Sequence, residues 1–256
     1  MKIDRNMALA SFEKYTNDYD ATDPKTKLKI DHTYRVAELC QAIASSLSLT
    51  PEEVDLAWLC GLLHDIGRFE QLKRYNTFID ADSVDHAIFG ASLLFEENLI
   101  RLFVEDDTKD EMLFHVIRAH SAFAVPEEYN EEEKTFCNIL RDADKIDILR
   151  ANIETPMEEI YNVTSDSLYN DPITPEVYQA FFKHETILRA LKKTSIDHLI
   201  GHISLVFGLN YPISFLLVKK QGYLDQMMQF PSKNPDTLQM LKEISDEMNL
   251  YLSNKK

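Results

Sequence analysis

The sequence predicts an all-α fold. The chain has only 6 glycines in 256 residues, and few of its segments alternate polar and apolar residues with the period of two expected of a half-buried strand. Helix-start signals recur instead. Thr50-Pro51-Glu52-Glu53 combines a capping box with proline at the first helical position. We therefore expect helices almost throughout, joined by short polar segments.

The helices can be placed in order from these start signals. Asp23-Pro24 opens a helix expected to reach about residue 46, and Thr50 opens one expected to stop near Gly67 in the left-handed region. The next starts at Asp82-Ser83. Further helices are expected over about 110–121 and 131–152, and from 174, 194 and 234 onward. The stretch 154–173 contains two prolines and is the best candidate for a join.

Charge and composition exclude several kinds of partner. The chain has 43 acidic and 27 basic residues, a net charge of −16, so it lacks the basic balance of a nucleic-acid-binding surface and does not favour anionic membranes. No segment approaches the ~18 uninterrupted apolar residues of a membrane span. We expect neither a nucleic acid nor a membrane as partner. A metal cluster can still attract a small phosphate, because local charge can outweigh net charge.

The cysteines indicate a reducing compartment. Cys40, Cys60 and Cys137 lie in apolar helical stretches without C-x-x-C spacing, which is typical of buried thiols in the cytosol. The N-terminus leads into polar sequence rather than an apolar signal core. The sequence therefore predicts a cytoplasmic protein, and it leaves open whether the protein forms a homo-oligomer.

A set of candidate metal ligands stands out from this background. His64 and Asp65 are adjacent at the end of an apolar helix, and His32 shares an apolar helix face with Val36 and Leu39. Three aspartates follow within residues 142–147. Imidazole and carboxylate groups together form a nitrogen and oxygen ligand set for a divalent metal.

The order H…HD…D resembles the HD-domain superfamily of metal-dependent phosphohydrolases. The resemblance covers roughly residues 28–150 and depends on four ordered positions, whereas a His-Asp pair alone would be weak. It implies an HD-type helical bundle with additional C-terminal helices. We expect a single HD-type domain over residues 1–256, with an HD core at about 28–150 and a C-terminal helical extension at about 155–256.

Two further histidines match the version of this family ordered H…HD…H…H…D, which implies a two-metal site. His86 lies four residues before Gly90, where a glycine would let another helix approach closely. His120 ends an apolar stripe of helical spacing, whereas His115 lies off that stripe and is expected to be a surface or packing residue.

Spacing alone does not identify the final carboxylate ligand. Helical periodicity does not choose between Asp142 and Asp144, and Asp147 is a candidate for orienting a ligand histidine. In related HD proteins the ligand is the Asp of Ala-Asp-Lys/Arg, which corresponds here to Asp144. Asp142 is the alternative, with a solvated helix position as its ordinary role. The implied metal ligands are His32, His64, Asp65, His86, His120 and Asp144, for one or two ions of Mn, Fe, Ni, Co or Mg.

Such a centre implies phosphate chemistry. A divalent metal lowers the pKa of bound water and polarises the P–O bond, and Asp65 would bridge two ions. Arg68 and Lys145 are the nearest cations in sequence and are assigned catalytic roles as phosphate donors, while Arg35 and Arg74 are weaker candidates. The expected function is hydrolysis of a phosphate ester or anhydride of a small molecule, a nucleotide, by metal-activated water.

Three alternatives remain. The first is an HD-type di-iron oxygenase acting on a small organic substrate, which would also use the extra histidine pair. The second is a cyclic-dinucleotide phosphodiesterase. That branch carries a Gly-Tyr-Pro signature, and Ser121-Ala122-Phe123 stands here instead. The third is a non-catalytic binding module, against which the complete ligand set argues.

Overall fold

Helices are the only regular elements in a computed structural model that describes residues 1–20 and 22–255. No strand occurs within these ranges, so the predicted all-α class is confirmed. The chain divides into two compact units, Met1–Asp144 and Lys145–Lys256. The boundary falls inside a long helix rather than in the expected join at 154–173. The description as a single HD-type domain stays a prediction.

The first unit contains six complete helices and the beginning of a seventh. They are α1 (Arg5–Thr16), α2 (Pro24–Ser45), α3 (Pro51–Leu63), α4 (Ile66–Tyr75), α5 (His86–Phe95), α6 (Asp110–Ala119) and the first part of α7 (Glu131–Glu154). Two short 3-10 helices lie at Asp80–Asp82 and Leu99–Leu102.

The helix starts follow from their capping residues. Thr50 and Glu53 form the predicted capping box, in which the Thr50 amide donates to the Glu53 carboxylate at 2.7 Å. The Asp85 carboxylate accepts hydrogen bonds from the Ala87 amide at 2.9 Å and the Ile88 amide at 3.1 Å. Asp85 therefore starts α5 at His86, a few residues later than expected from Asp82-Ser83, and places His86 in the first turn.

The helix carrying His64 and Asp65 differs from expectation. α3 ends at Leu63, and α4 begins at Ile66 after Asp65 takes a non-helical conformation at φ −100° and ψ 15°. The expectation that Gly67 ends the helix in the left-handed region is wrong, because Gly67 lies within α4. His64 and Asp65 thus occupy a break between two helices.

Gly67 is instead needed where α4 and α5 meet. A Cβ atom on Gly67 would lie 2.5 Å from the His86 carbonyl oxygen and 2.7 Å from the Gly90 amide nitrogen. A Cβ atom on Gly90 would lie 3.0 Å from the Gly67 amide nitrogen. The predicted close approach of a helix at Gly90 is therefore confirmed, and the two backbones touch at this point.

The core of the first unit lies between α2, α3, α4, α5 and α6. α2 packs along α3, while α5 packs against both α4 and α6. Leu59, Leu63 and Leu113 are fully buried there, and each contributes roughly 1.5–3 kcal/mol relative to an exposed side chain. The three cysteines are buried as predicted, and burial raises the pKa of the Cys137 thiol to about 12.

The second unit contains the rest of α7 and seven further α-helices. They are α8 (Met157–Tyr161), α9 (Ser165–Asn170), α10 (Pro175–Phe181), α11 (Ser195–Ile203), α12 (Pro212–Gln221), α13 (Tyr223–Met228) and α14 (Pro235–Ser253). Short 3-10 helices lie at Arg189–Leu191 and Ser204–Gly208. The predicted starts near 174, 194 and 234 are confirmed. Among the described residues, none of the helices combines the length and apolar character needed to cross a membrane.

Candidate metal centre

The break between α3 and α4 presents His64 and Asp65 to the interior of the first unit. Both side chains are buried, with 0% of His64 and 2% of Asp65 exposed. The Nδ1–H group of His64 donates to the Gly61 carbonyl, with an N–O distance of 2.8 Å. Because Nδ1 carries the proton in this arrangement, Nε2 is left with a lone pair that can bind a metal.

Asp65 lies between two pairs of histidines. Its Oδ2 atom faces Nε2 of His64 at 3.6 Å and Nε2 of His32 at 3.7 Å. Its Oδ1 atom faces Nε2 of His86 at 3.4 Å and Nε2 of His120 at 3.8 Å. We call these two halves the Oδ2 side and the Oδ1 side. One carboxylate therefore serves both halves, one oxygen to each.

Asp144 completes the Oδ2 side. Its Oδ1 atom is 3.2 Å from Nε2 of His32 and 4.0 Å from Nε2 of His64. Asp142, two residues earlier on α7, is absent from the possible metal-binding groups of the described residues. The expectation that Asp142 occupies a solvated face is wrong, because its side chain is fully buried. The geometry favours Asp144 over Asp142 where helical periodicity could not.

The Oδ1 side is formed by the two extra histidines. Nε2 of His86 and Nε2 of His120 are 3.1 Å apart, and both rings are buried. The Nδ1–H group of His120 donates to the Ile117 carbonyl at 2.7 Å. Arg141 donates to the carbonyls of Ala119 at 3.2 Å and His120 at 3.3 Å. This arginine fixes the chain at the end of α6, where His120 lies.

His86 is oriented by a side chain rather than by the main chain. Its Nδ1 atom is 2.7 Å from Oδ2 of Asp80. The other carboxylate oxygen of Asp80 accepts from Nη1 of Arg68 at 2.7 Å and from Nε2 of Gln71 at 2.9 Å. Sequence reasoning missed Asp80 and Gln71, because no motif links them to His86.

Of the basic residues expected to bind phosphate, Arg68 lies beside Asp65, whereas Lys145 and Arg74 have partners elsewhere. Nε of Arg68 is buried without a hydrogen-bond partner and lies 3.6 Å from Oδ1 of Asp65. Lys145 donates to the Gly208 carbonyl at 2.5 Å within the second unit. Arg74 pairs with Glu70 on α4 at 2.7 Å.

Lys29 is a cation at the site that sequence reasoning missed. Its Nζ atom is 2.7 Å from Oδ2 of Asp65. Its position three residues before His32, on the same face of α2, was the available signal. His115, by contrast, stacks on Tyr129 at 4.7 Å between ring centroids and pairs with Glu133, as expected of a packing residue.

The protonation states suit metal binding. Burial lowers the pKa of His64, and burial together with His86 and His64 lowers the pKa of His120 to about 3. Burial opposes the charged form of Asp65, yet Lys29, His64 and His86 hold the pKa of that carboxyl well below its usual range. Neutral imidazoles and ionised carboxylates are the forms that bind a metal.

The residues present fit a divalent metal. The ligand atoms of His32, His64 and Asp144 lie within 4.8 Å of one another, and so do those of His64, Asp65 and His120. Nitrogen and carboxylate donors of this kind suit Mn, Fe, Co and Ni, and carboxylates also suit Mg. The helical fold and this cluster together define a candidate metalloprotein of the all-α class.

The sequence comparison identifies the family of this part of the chain. Residues 30–149 match the HD domain family, which belongs to a superfamily of metal-dependent phosphohydrolases. The resemblance predicted over roughly 28–150 is thereby confirmed. The six candidate metal ligands lie within the matched range, and Lys29 lies one residue before it.

One curated protein also matches a short stretch. The 3'3'-cGAMP-specific phosphodiesterase 1 of Vibrio cholerae serotype O1 (strain ATCC 39315 / El Tor Inaba N16961) is 41% identical over 49 residues. The match covers 19% of this chain and only 11% of the relative. No solved structure matches the chain at a significant level.

Proposed function

We propose that this protein is a metal-dependent phosphohydrolase that cleaves a phosphate ester or anhydride bond of a small molecule. The substrate class that we propose is a nucleotide. The proposal rests above all on one observation. Nε2 atoms of four histidines face the two oxygens of one buried carboxylate, Asp65. This arrangement supports two divalent ions that share Asp65.

Each half of the site supplies its own ligands. The Oδ2 side would hold one ion through His32, His64, Asp65 and Asp144, and the Oδ1 side a second through His86, His120 and Asp65. When bound, such ions supply Lewis-acid chemistry, lowering the pKa of water and polarising the P–O bond.

Two cationic side chains, Lys29 and Arg68, are candidates for binding the phosphate of the substrate. Nζ of Lys29 lies at the Oδ2 side and Nε of Arg68 at the Oδ1 side. We propose that they bind phosphoryl oxygens and neutralise charge that develops in the transition state. A buried arginine nitrogen without a partner costs stability unless something accepts its hydrogen bond. A phosphate oxygen is a suitable acceptor. The role assigned to Lys145 from its sequence position stays a prediction.

The substrate class is argued from the family and from the partial match. The relative's name specifies a cyclic dinucleotide, which supports a nucleotide substrate. A cyclic dinucleotide is therefore the second candidate substrate, although Ser121-Ala122-Phe123 replaces the Gly-Tyr-Pro signature of that branch. The cytoplasmic location stays a prediction, and the sequence leaves the oligomeric state open.

Phosphate release measured with defined metals tests the proposal. The purified protein is stripped with a chelator and reloaded with Mn²⁺, Co²⁺ or Fe²⁺. It is then assayed on nucleoside mono-, di- and triphosphates and on cyclic dinucleotides. We expect hydrolysis that depends on added metal and disappears in His64→Ala. His115→Ala is the matched control, because His115 lies outside the cluster.

Other outcomes separate the alternatives. Oxygen uptake by the iron-loaded protein without phosphate release from any substrate would support the di-iron oxygenase. Cleavage confined to cyclic dinucleotides would select the second candidate substrate. Metal binding without any turnover on a broad panel would contradict the proposed activity and favour a binding module.

A further inference from the structure

We propose that Asp80 is a positioning residue that holds His86 in the ring orientation and tautomer required on the Oδ1 side. This inference rests on the proposed function, because it assigns His86 a metal-binding Nε2 atom. The observation that carries it is the 2.7 Å contact between Oδ2 of Asp80 and Nδ1 of His86. The opposite nitrogen of the ring faces Asp65 and His120.

His86 differs in this respect from two other histidines of the cluster. Nδ1 of His64 and Nδ1 of His120 each donate to the carbonyl of the residue three positions earlier. Such a carbonyl is available because each histidine follows the last residue of a helix. His86 is at the start of α5, where no helical carbonyl precedes it. A side chain from outside the helix must therefore supply the acceptor.

Hydrogen bonds from Arg68 and Gln71 hold the Asp80 carboxylate in place. Arg68 donates through Nη1 to Asp80 and to the Phe78 carbonyl, both at 2.7 Å. Gln71 is fully buried and donates to Asp80 at 2.9 Å and to the Val84 carbonyl at 3.0 Å. The segment before α5 is thus assembled around the carboxylate that faces His86.

A negatively charged acceptor has a specific effect on a ligand histidine. It fixes the proton on Nδ1 and makes Nε2 a stronger donor to the metal. Loss of such a partner typically lowers metal affinity by about 10- to 100-fold. We expect the effect on the Oδ1 side, because the Asp80 carboxylate contacts His86, whereas His32 and His64 face Asp144 on the Oδ2 side.

Mn²⁺ titration into the chelator-treated full-length protein tests the inference. Isothermal calorimetry, with metal content checked by mass spectrometry, should give two sites in the wild type. In Asp80→Asn, which preserves shape, we expect the Oδ1-side ion to bind about 10- to 100-fold more weakly and the other ion to be unaffected. Asp82→Asn is the matched control, because Asp82 lies in the same segment, is exposed, and is outside the possible metal-binding groups of the described residues.

A second readout is independent of metal and activity. In the metal-free protein, nitrogen chemical shifts of the histidine rings report which nitrogen carries the proton. We expect His86 to carry it on Nδ1 in the wild type and to become a mixture of tautomers in Asp80→Ala. Circular dichroism and the melting temperature establish that both variants are folded.

The outcomes distinguish this inference from the proposed function. An Asp80→Asn protein with unchanged affinity for both ions and an unchanged His86 tautomer in Asp80→Ala would overturn the positioning role. A wild type that binds fewer than two ions would count against the two-ion centre. In that case the ring spectra still decide the role of Asp80.

Discussion

The two sides of Asp65 are built differently although each has two histidines. The Oδ2 side adds the Asp144 carboxylate and the Lys29 ammonium. On the Oδ1 side, the described ligand candidates are His86, His120 and Asp65, and the nearby Asp80 is turned to the far nitrogen of His86. A metal with fewer protein ligands keeps more positions for water and substrate. We therefore expect the Oδ2 side to hold its ion more tightly and the Oδ1 side to be the more open to substrate.

Removing the shared carboxylate should have the largest effect. Asp65→Ala takes one oxygen from each side, so we expect neither ion to remain after dialysis and turnover to fall by about three orders of magnitude or more. Metal analysis and the hydrolysis assay provide the measurements. Retention of one full equivalent of metal would mean that Asp65 is not shared between the two sides.

Removing a single histidine should separate the sides. His120→Ala should lower metal content by about half, since only the Oδ1 side loses a ligand. His64→Ala should remove the ion of the Oδ2 side and abolish hydrolytic activity. Calorimetric titration with Mn²⁺ measures both. Two unchanged sites in His120→Ala would reduce the centre to His32, His64, Asp65 and Asp144.

The two aspartates of α7 offer a sharper comparison. Asp144→Asn should weaken metal binding on the Oδ2 side by orders of magnitude, because a neutral amide replaces a carboxylate ligand. Asp142→Asn should preserve metal content. Since Asp142 is fully buried, we expect it to cost about 1–3 kcal/mol of unfolding free energy. Denaturant unfolding and metal titration of both variants give the result, and the opposite pattern would transfer the ligand role to Asp142.

The smallest effect is expected at His115. His115→Ala removes the stacking on Tyr129 and the contact with Glu133, which we expect to cost about 1 kcal/mol of stability. It should leave both metal sites intact, because His115 lies outside the possible metal-binding groups of the described residues. A loss of metal in this variant would show that the cluster extends along α6.

The candidate ligand histidines were predicted from the sequence, but the residues that orient them were not. Apolar helical spacing placed His32 and His120 on buried helix faces, and the resemblance to the HD superfamily assigned them, together with His64-Asp65 and His86, as candidate ligands. Asp80 and Gln71 form contacts across a segment that has no periodic pattern, so nothing in the sequence connects them to His86. Asp142 and Asp144 could not be distinguished from the sequence either, because each is compatible with a buried face of α7. The packing of the helices places the Asp144 carboxylate 3.2 Å from Nε2 of His32.

The contact between the backbones of Gly67 and Gly90 fixes how closely α4 and α5 can approach. Asp65 lies two residues before Gly67, and His86 four residues before Gly90, so the spacing between these ligands is set where two backbones meet. Side chains in a core can often be exchanged for others of similar volume, because neighbours adjust their rotamers. Here the three atoms nearest a Cβ on Gly67 are backbone atoms of His86 and Gly90, at 2.5–2.9 Å. Backbone atoms cannot move aside by changing rotamer, so a single added methyl group at Gly67 would force the two helices apart.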